Sequence, residues 1–268
     1  MKLTNEMGIP WGGRKQNNKE ITPLDFTDIQ ERSLFIGVNI GSSYHNETDC
    51  AVILYKDRTN WKLKTNENED VFEFLYNNIK FFSKNRYKNA ESNFLKEYLI
   101  FTLGACLSSP IKPEYYIRDV DVERNNGNKI NQRWESESYH KMSDWLNHFP
   151  ISGASKRVYL ETCPQSNFPF DIKETRATEK EKSFLVDALK KINEVPVSSL
   201  NIQGWNEEHF KDEYFRNAFV SMLVSIAYTR WKSIDKSGKH DFLKIIADHD
   251  GLYWLLDHES LNHLDPQF

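Results

Sequence analysis

A mixed α/β fold, with a sheet led by three antiparallel strands and helices on both faces, is predicted by three features of the sequence. Leu34-Phe35-Ile36-Gly37-Val38-Asn39-Ile40-Gly41 is an apolar run closed by a turn containing Ser42 and Ser43. Cys50-Ala51-Val52-Ile53-Leu54-Tyr55 is a second apolar run that returns as its antiparallel neighbour. Beyond them, segments of helical periodicity alternate with short apolar stretches, the order expected of a mixed sheet covered on both sides. The chain has 268 residues, enough for one large domain with insertions and a substantial core.

Residues 1 to 31 include Gly8-Ile9-Pro10-Trp11-Gly12-Gly13 and show no periodicity, so they read as an N-terminal extension to a domain spanning 32 to 268. Strands are expected at about 33 to 40, 50 to 56 and 61 to 65, then a helix from Glu69 to Lys84. Tyr98 to Leu103 reads as a buried strand stopped by Gly104, before a loop at Ser108-Ser109-Pro110 and a polar span from 111 to 133. Gln132 to Phe149 is expected to be helical, and Arg157 to Glu161 a strand halted before Pro164. Glu179 to Ile192 reads as an amphipathic helix and Asn206 to Trp231 as the longest helix. In the latter, Phe210, Tyr214, Ala218 and Met222 form an i, i+4 stripe suited to packing across the sheet. Gly251 to Leu256 closes the series as a short strand.

Composition narrows the function. The net charge of −4 argues against a protein that coats nucleic acid non-specifically, because such binding is driven by Lys and Arg displacing counterions from phosphates. A local exception is Lys80-Phe81-Phe82-Ser83-Lys84-Asn85-Arg86-Tyr87-Lys88, where cations interleave with aromatics. Phe72, Leu75, Ile79 and Phe82 also fall at helical spacing, so core aromatics beside a solvated helix end explain the same residues. No apolar stretch approaches the ~20 residues of a membrane span, and the first residues form no apolar signal region. A soluble, cytoplasmic protein with no membrane partner is expected. Cys50, Cys106 and Cys163 lack paired spacing and read as buried thiols rather than as a zinc motif or a disulfide framework. Phosphate-loop, dinucleotide, zinc-protease and serine-esterase motifs are missing from the sequence. The histidines and acids from His240 to His263 match no compact metal spacing and read as a solvated tail.

Polar residues at the ends of expected strands remain, and open α/β sheets place their sites there. Asn39 lies on the first strand, Arg118 and Asp121 follow the strand ending near Leu103, and Glu161 ends the strand Val158 to Leu160. Glu213 and Asn217 are one helical turn apart, with His209 on the same stripe.

In this order the motifs resemble those of domain-of-unknown-function family 429, predicted nucleases of ribonuclease H-like fold. Its Gly-x-Asp strand resembles Gly37-Val38-Asn39, and its apolar second strand Ala51-Val52-Ile53-Leu54. Its apolar-Asp-small-Pro-Leu-Ser strand is similar to Leu103-Gly104-Ala105-Cys106-Leu107-Ser108, and its Arg-x-x-Asp to Arg118-Asp119-Val120-Asp121. Glu161-Thr162-Cys163-Pro164 with Phe168, Lys173-Glu174-Thr175-Arg176, Glu213 through Asn217-Ala218-Phe219-Val220, and Asp248 through Gly251 to Trp254 resemble the later motifs. The match runs in order over residues 33 to 256.

The resemblance implies a metal-dependent nuclease using Mg²⁺ or Mn²⁺. Glu161, Glu213 and Asp121 would be the metal ligands, Asn39 and Asn217 neutral ligands or water positioners, and Arg118, Lys173 and Arg176 the phosphate contacts. This chain has Asn39, Gly104 and Asn217 where the family pattern has Asp, and two Mg²⁺ ions in one small site call for several carboxylates. The alternative is therefore a catalytically degenerate module that serves as a binding or assembly subunit, with nucleic acid or a protein as its partner. Glu161 and Glu213 also read as a strand-end carboxylate paired with Arg157 or Arg176 and as a helix-start acid favoured by the dipole, and Asp121 as part of a mixed-charge loop.

Overall fold

A computed structural model of the chain describes residues 30–31, 33–40, 48–57, 60–89, 98–103, 156–162, 164–170, 177–193, 202–232, 242–247 and 252–262. The expected helix at 132 to 149 and residues 1 to 29 lie outside them. Among the described residues eight strands form one mixed sheet in the order β6-β3-β2-β1-β4-β5-β8-β7. They are β1 (Ser33–Asn39), β2 (Cys50–Asp57), β3 (Asn60–Thr65), β4 (Tyr98–Leu103), β5 (Lys156–Glu161), β6 (Ile202–Gln203), β7 (Leu243–Ala247) and β8 (Leu252–Leu256). The helices are α1 (Val71–Asn89), α2 (Ala177–Asn193), α3 (Glu213–Lys232) and the short α4 (His258–Asn262).

The three leading strands are antiparallel, with Ile36 opposite Ile53 and Leu54 opposite Leu63. β4 joins the other side of β1 in parallel, with Gly37 beside Thr102, and β5 follows β4 in parallel. β1 therefore lies inside the sheet and is buried on both faces, which explains its unbroken apolar run. Leu34, Ile36, Val38 and Ile40 pack with Val71, Leu75, Ile79 and Phe82 of α1 on one face. Phe35 packs on the other, with the core that α2 and α3 share.

α3 crosses β1 at very short range. A Cβ built on Gly37 would lie 2.0 Å from the Ala218 carbonyl oxygen and 2.3 Å from the Met222 amide nitrogen, so hydrogen is the side chain that fits. Nearly the whole of α3 is buried, from Phe215 to Thr229. Its hydroxyls remain satisfied within the helix: Ser221 donates to the Asn217 carbonyl at 2.8 Å, Ser225 to Met222 and Thr229 to Ile226, both at 2.6 Å. No helix among the described residues is long and apolar enough to cross a membrane.

The expected helix from Asn206 to Trp231 is divided. Asn206 caps a 3₁₀ turn at Glu207–Lys211 by accepting from the Glu208 amide at 3.0 Å, and Asp212 is extended (φ −81°, ψ 124°) before α3 begins. The Tyr214 amide donates to Asp212 Oδ1 at 2.9 Å, so Asp212 caps α3. His209 accordingly lies in the 3₁₀ turn and not on the helical stripe of Glu213 and Asn217. β6, β7 and α4 are additions to the expected elements. At the other boundary, α1 starts at Val71 because Asp70 Oδ1 accepts from the Phe72 and Glu73 amides at 2.9 and 3.0 Å.

Among the described residues β5 and β8 share one ladder pair, Glu161 with Tyr253. Asn167, fully buried, extends that junction with side-chain bonds: it donates to Thr162 Oγ1 at 2.9 Å and accepts from the Leu256 amide at 2.7 Å, while Thr162 donates to the Trp254 carbonyl at 2.6 Å.

Gly37→Ala should destabilise the chain by at least about 3 kcal/mol or prevent folding, because the atoms its methyl meets are backbone and cannot rotate aside. Urea unfolding measures this, and a loss under about 1 kcal/mol would contradict the crossing.

Candidate functional site

The carboxyl ends of β1, β4 and β5 lie side by side, and the amino-terminal half of α3 covers that end of β1. Two observations orient the helix. Asp212 is close enough to Cys50, the partner of Asn39 in the ladder, for its charge to act on the thiol. His209 Nε2 lies 3.7 Å from Glu67 Oε1, in the turn after β3, while its ring packs on Phe215 at 5.2 Å. Asn39 ends β1 two residues beyond Gly37 on the same face, and Asn217 precedes Ala218, which touches Gly37. Both asparagines are buried.

Asn217 and Tyr228 belong to one stripe of α3, and Tyr228 meets Trp254 of β8 edge to face at 5.2 Å. That stripe is turned toward the β5–β8 side. Phe215 and Phe219, on the next stripe, join Phe210 and Trp205 in an aromatic cluster over the β3 side. Asn217 thus sits on the side of α3 nearer the parallel strands.

Glu213, one turn earlier, is exposed. Glu161 ends β5 in the register row of Leu103 and Val38, so its backbone lies two strands from β1, about 10 Å away at a strand spacing of about 4.8 Å. Gly104, Arg118, Asp121, Lys173 and Arg176 lie outside the described residues. No group of three His, Cys, Asp or Glu residues among those described could hold a metal ion. The described side chains of the site are two uncharged amides and one solvent-facing carboxylate, while the side chains of Glu161 and Asp121 lie outside the described residues.

Cys50 lies beside Asn39 with Sγ 3.9 Å from Thr65 Oγ1. Burial pushes its thiol up to about 12, with smaller contributions from the charges of Asp212 and Asp49 and an opposing one from Thr65. It is protonated at neutral pH and unsuited to nucleophilic chemistry.

The start of α3 is fixed by a buried ion pair that residue types alone did not single out. Arg216 Nε donates to Glu181 Oε2 of α2, and Arg216 Nη1 donates to the Phe210 carbonyl at 2.8 Å and the Lys211 carbonyl at 3.0 Å. The Arg216 and Glu181 side chains are 7% and 2% exposed, and Glu181 Oε1 is buried without a partner among the described residues. A signal was present in the sequence: Glu181 shares the helical stripe of Leu185, Ala188 and Ile192, so a charge stands where the core face begins.

Arg216→Met should cost about 3 to 5 kcal/mol by stranding the Glu181 carboxylate, and Glu181→Leu added to it should recover part of that loss, both read by urea unfolding. Native protein treated with iodoacetamide at pH 8 should leave the Cys50 peptide unlabelled until urea unfolds the chain. Mass spectrometry reads this, and rapid native labelling would contradict the protonated, buried thiol. No family model, curated protein or solved structure matches this chain.

Proposed function

We propose that this chain is a ribonuclease H-like module that binds rather than cleaves, with amides at the carboxyl end of β1 where nucleases of that fold need metal-holding carboxylates. The observation that carries this reading is the burial of both Asn39 and Asn217, each only 6% exposed, where α3 crosses β1. A carboxylate at either position would be a buried charge that only a cation could balance, whereas a carboxamide carries no such charge. The fold assignment is supported by the three antiparallel leading strands, the interior place of β1, the parallel addition of β4 and β5, and the long helix across them. Glu161 and Glu213 keep the family's acids at this edge of the sheet, but Glu213 faces solvent.

Incubation of the full chain with single- and double-stranded nucleic acid in Mg²⁺ or Mn²⁺ should give no cleavage. The Asn39→Asp, Asn217→Asp double variant should bind Mn²⁺ in calorimetry, and its melting temperature, lowered without metal, should rise when Mn²⁺ is added. Metal-dependent cleavage by the wild type that is lost in Glu161→Gln or Glu213→Gln would establish the nuclease instead. A restored variant that binds no Mn²⁺ would overturn the ribonuclease H-like assignment of the site.

A further inference from the structure

We propose that α4 is a latch that acid releases, closing on the core of α2 and α3 through Leu261 and through a His258 ring seated where a second proton meets no acceptor. His258, expected in a solvated tail, is half-buried at the first position of α4. Its ring meets Phe184 of α2 edge to face at 5.5 Å, and Phe184 packs in turn on Phe168 at 5.8 Å and Phe170 at 6.5 Å. On another side the ring donates to the backbone of Ser166, in the 3₁₀ turn Pro164–Asn167. Nδ1 is sealed from water and has no partner among the described residues. A neutral ring fits this seat, with one nitrogen donating and the other bare. Protonation would bury a second N–H that none of these neighbours receives, a cost carried by the docked state alone.

The rest of the latch is small. Leu261, 2% exposed, belongs to the core of α2 and α3, and Lys191 Nζ of α2 donates to its carbonyl at 2.5 Å. The Leu261 amide donates to the Asp257 carbonyl at 3.0 Å, and Asp257 Oδ2 accepts from the Ser260 hydroxyl at 2.5 Å. A five-residue helix held by so few contacts opens locally at a cost that one ring can change. Charges reach that ring from Asp257 beside it and from Lys244 of β7, while α2 and the 3₁₀ turn present Phe184 and the Ser166 backbone. Burial holds the ring below the ordinary histidine value of 6.5; Lys244 acts in the same direction, and Asp257 and the Ser166 bond oppose it. The released ring therefore takes up a proton where the docked ring stays neutral. Docking keeps its full strength above about pH 6.5 and loses it as the pH falls through the docked ring's lower value. The latch uses no residue of the asparagine site and does not rest on the reading of that site.

Amide hydrogen exchange of the full chain, followed by NMR at pH 7.5 and 5.5 and corrected for the intrinsic effect of pH, tests this. Protection of the Ser260 and Leu261 amides should fall about 3- to 10-fold on acidification, since one pH unit below 6.5 shifts the opening equilibrium by at most about tenfold. Protection of the β2 amides should hold. His258→Leu, neutral at both values, should keep the α4 protection and abolish its dependence on pH. The same spectra follow the His258 ring of the wild type, which should titrate below 6.5 and keeps the test decisive if His258→Leu does not fold. A fall of less than about threefold in α4 would overturn the proposal, as would a parallel fall in β2, which is acid unfolding of the whole chain. An equal fall in His258→Leu, or a ring that titrates at 6.5 or above, would overturn it too.

Discussion

The contact between the backbone of β1 and the backbone of α3 at Gly37 is the constraint on which the rest of the structure depends. A helix normally rests on a sheet through a layer of side chains, but here the Ala218 carbonyl and the Met222 amide meet the strand directly. Such an approach leaves no room for water along the crossing. It buries the full circumference of α3 and turns Asn39 and Asn217 into interior residues although both are polar. The chemistry available at this end of β1 follows from that depth, since a buried ionised group needs a counter-charge and an amide does not.

Polar side chains fix how the surrounding elements meet. Asn66, buried in the turn after β3, accepts from the Ala51 amide at 2.9 Å and donates to the Glu69 carbonyl at 3.0 Å, joining the start of β2 to the approach of α1. Arg216 ties α3 to α2 through Glu181 and closes the preceding 3₁₀ turn through two carbonyls. Gln30, just before β1, donates to Asn193 Oδ1 at 2.9 Å and so connects the amino-terminal side of the sheet to the end of α2. Apolar burial supplies the drive to collapse, and these directional bonds restrict the collapsed chain to one arrangement.

The leading strands and α1, α2 and α3 were legible because their apolar periods are long and unbroken, and β1 announced its two-sided burial by an apolar run without alternation. The division between the 3₁₀ turn and α3 was obscured because Phe210, Tyr214, Ala218 and Met222 keep helical spacing across the break, and only the capping geometry of Asp212 decides it. β6 is two residues long, too short for a period, and β7 and α4, five residues each, are short elements set among scattered acids and histidines. At the site, strand-end position pointed to Asn39 and helical spacing to Asn217, but the shared stripe of Glu213 and Asn217 could not tell that one faces water and the other the interior. That difference arises as α3 descends onto the sheet, a property of the crossing rather than of helical spacing.

The junction of β5 with β8 has a thermal consequence. Among the described residues, successive central strands share six ladder pairs, whereas β5 and β8 share one, joined by the bonds of Thr162 and Asn167. The β7–β8 hairpin is instead held by buried apolar groups, with Trp254 and Leu256 each 1% exposed and Trp254 packed edge to face against Tyr228 and Trp231. Apolar attraction weakens as water cools. The outer hairpin therefore depends more on apolar attraction than the ladder-bonded centre does, and cooling should weaken its hold first.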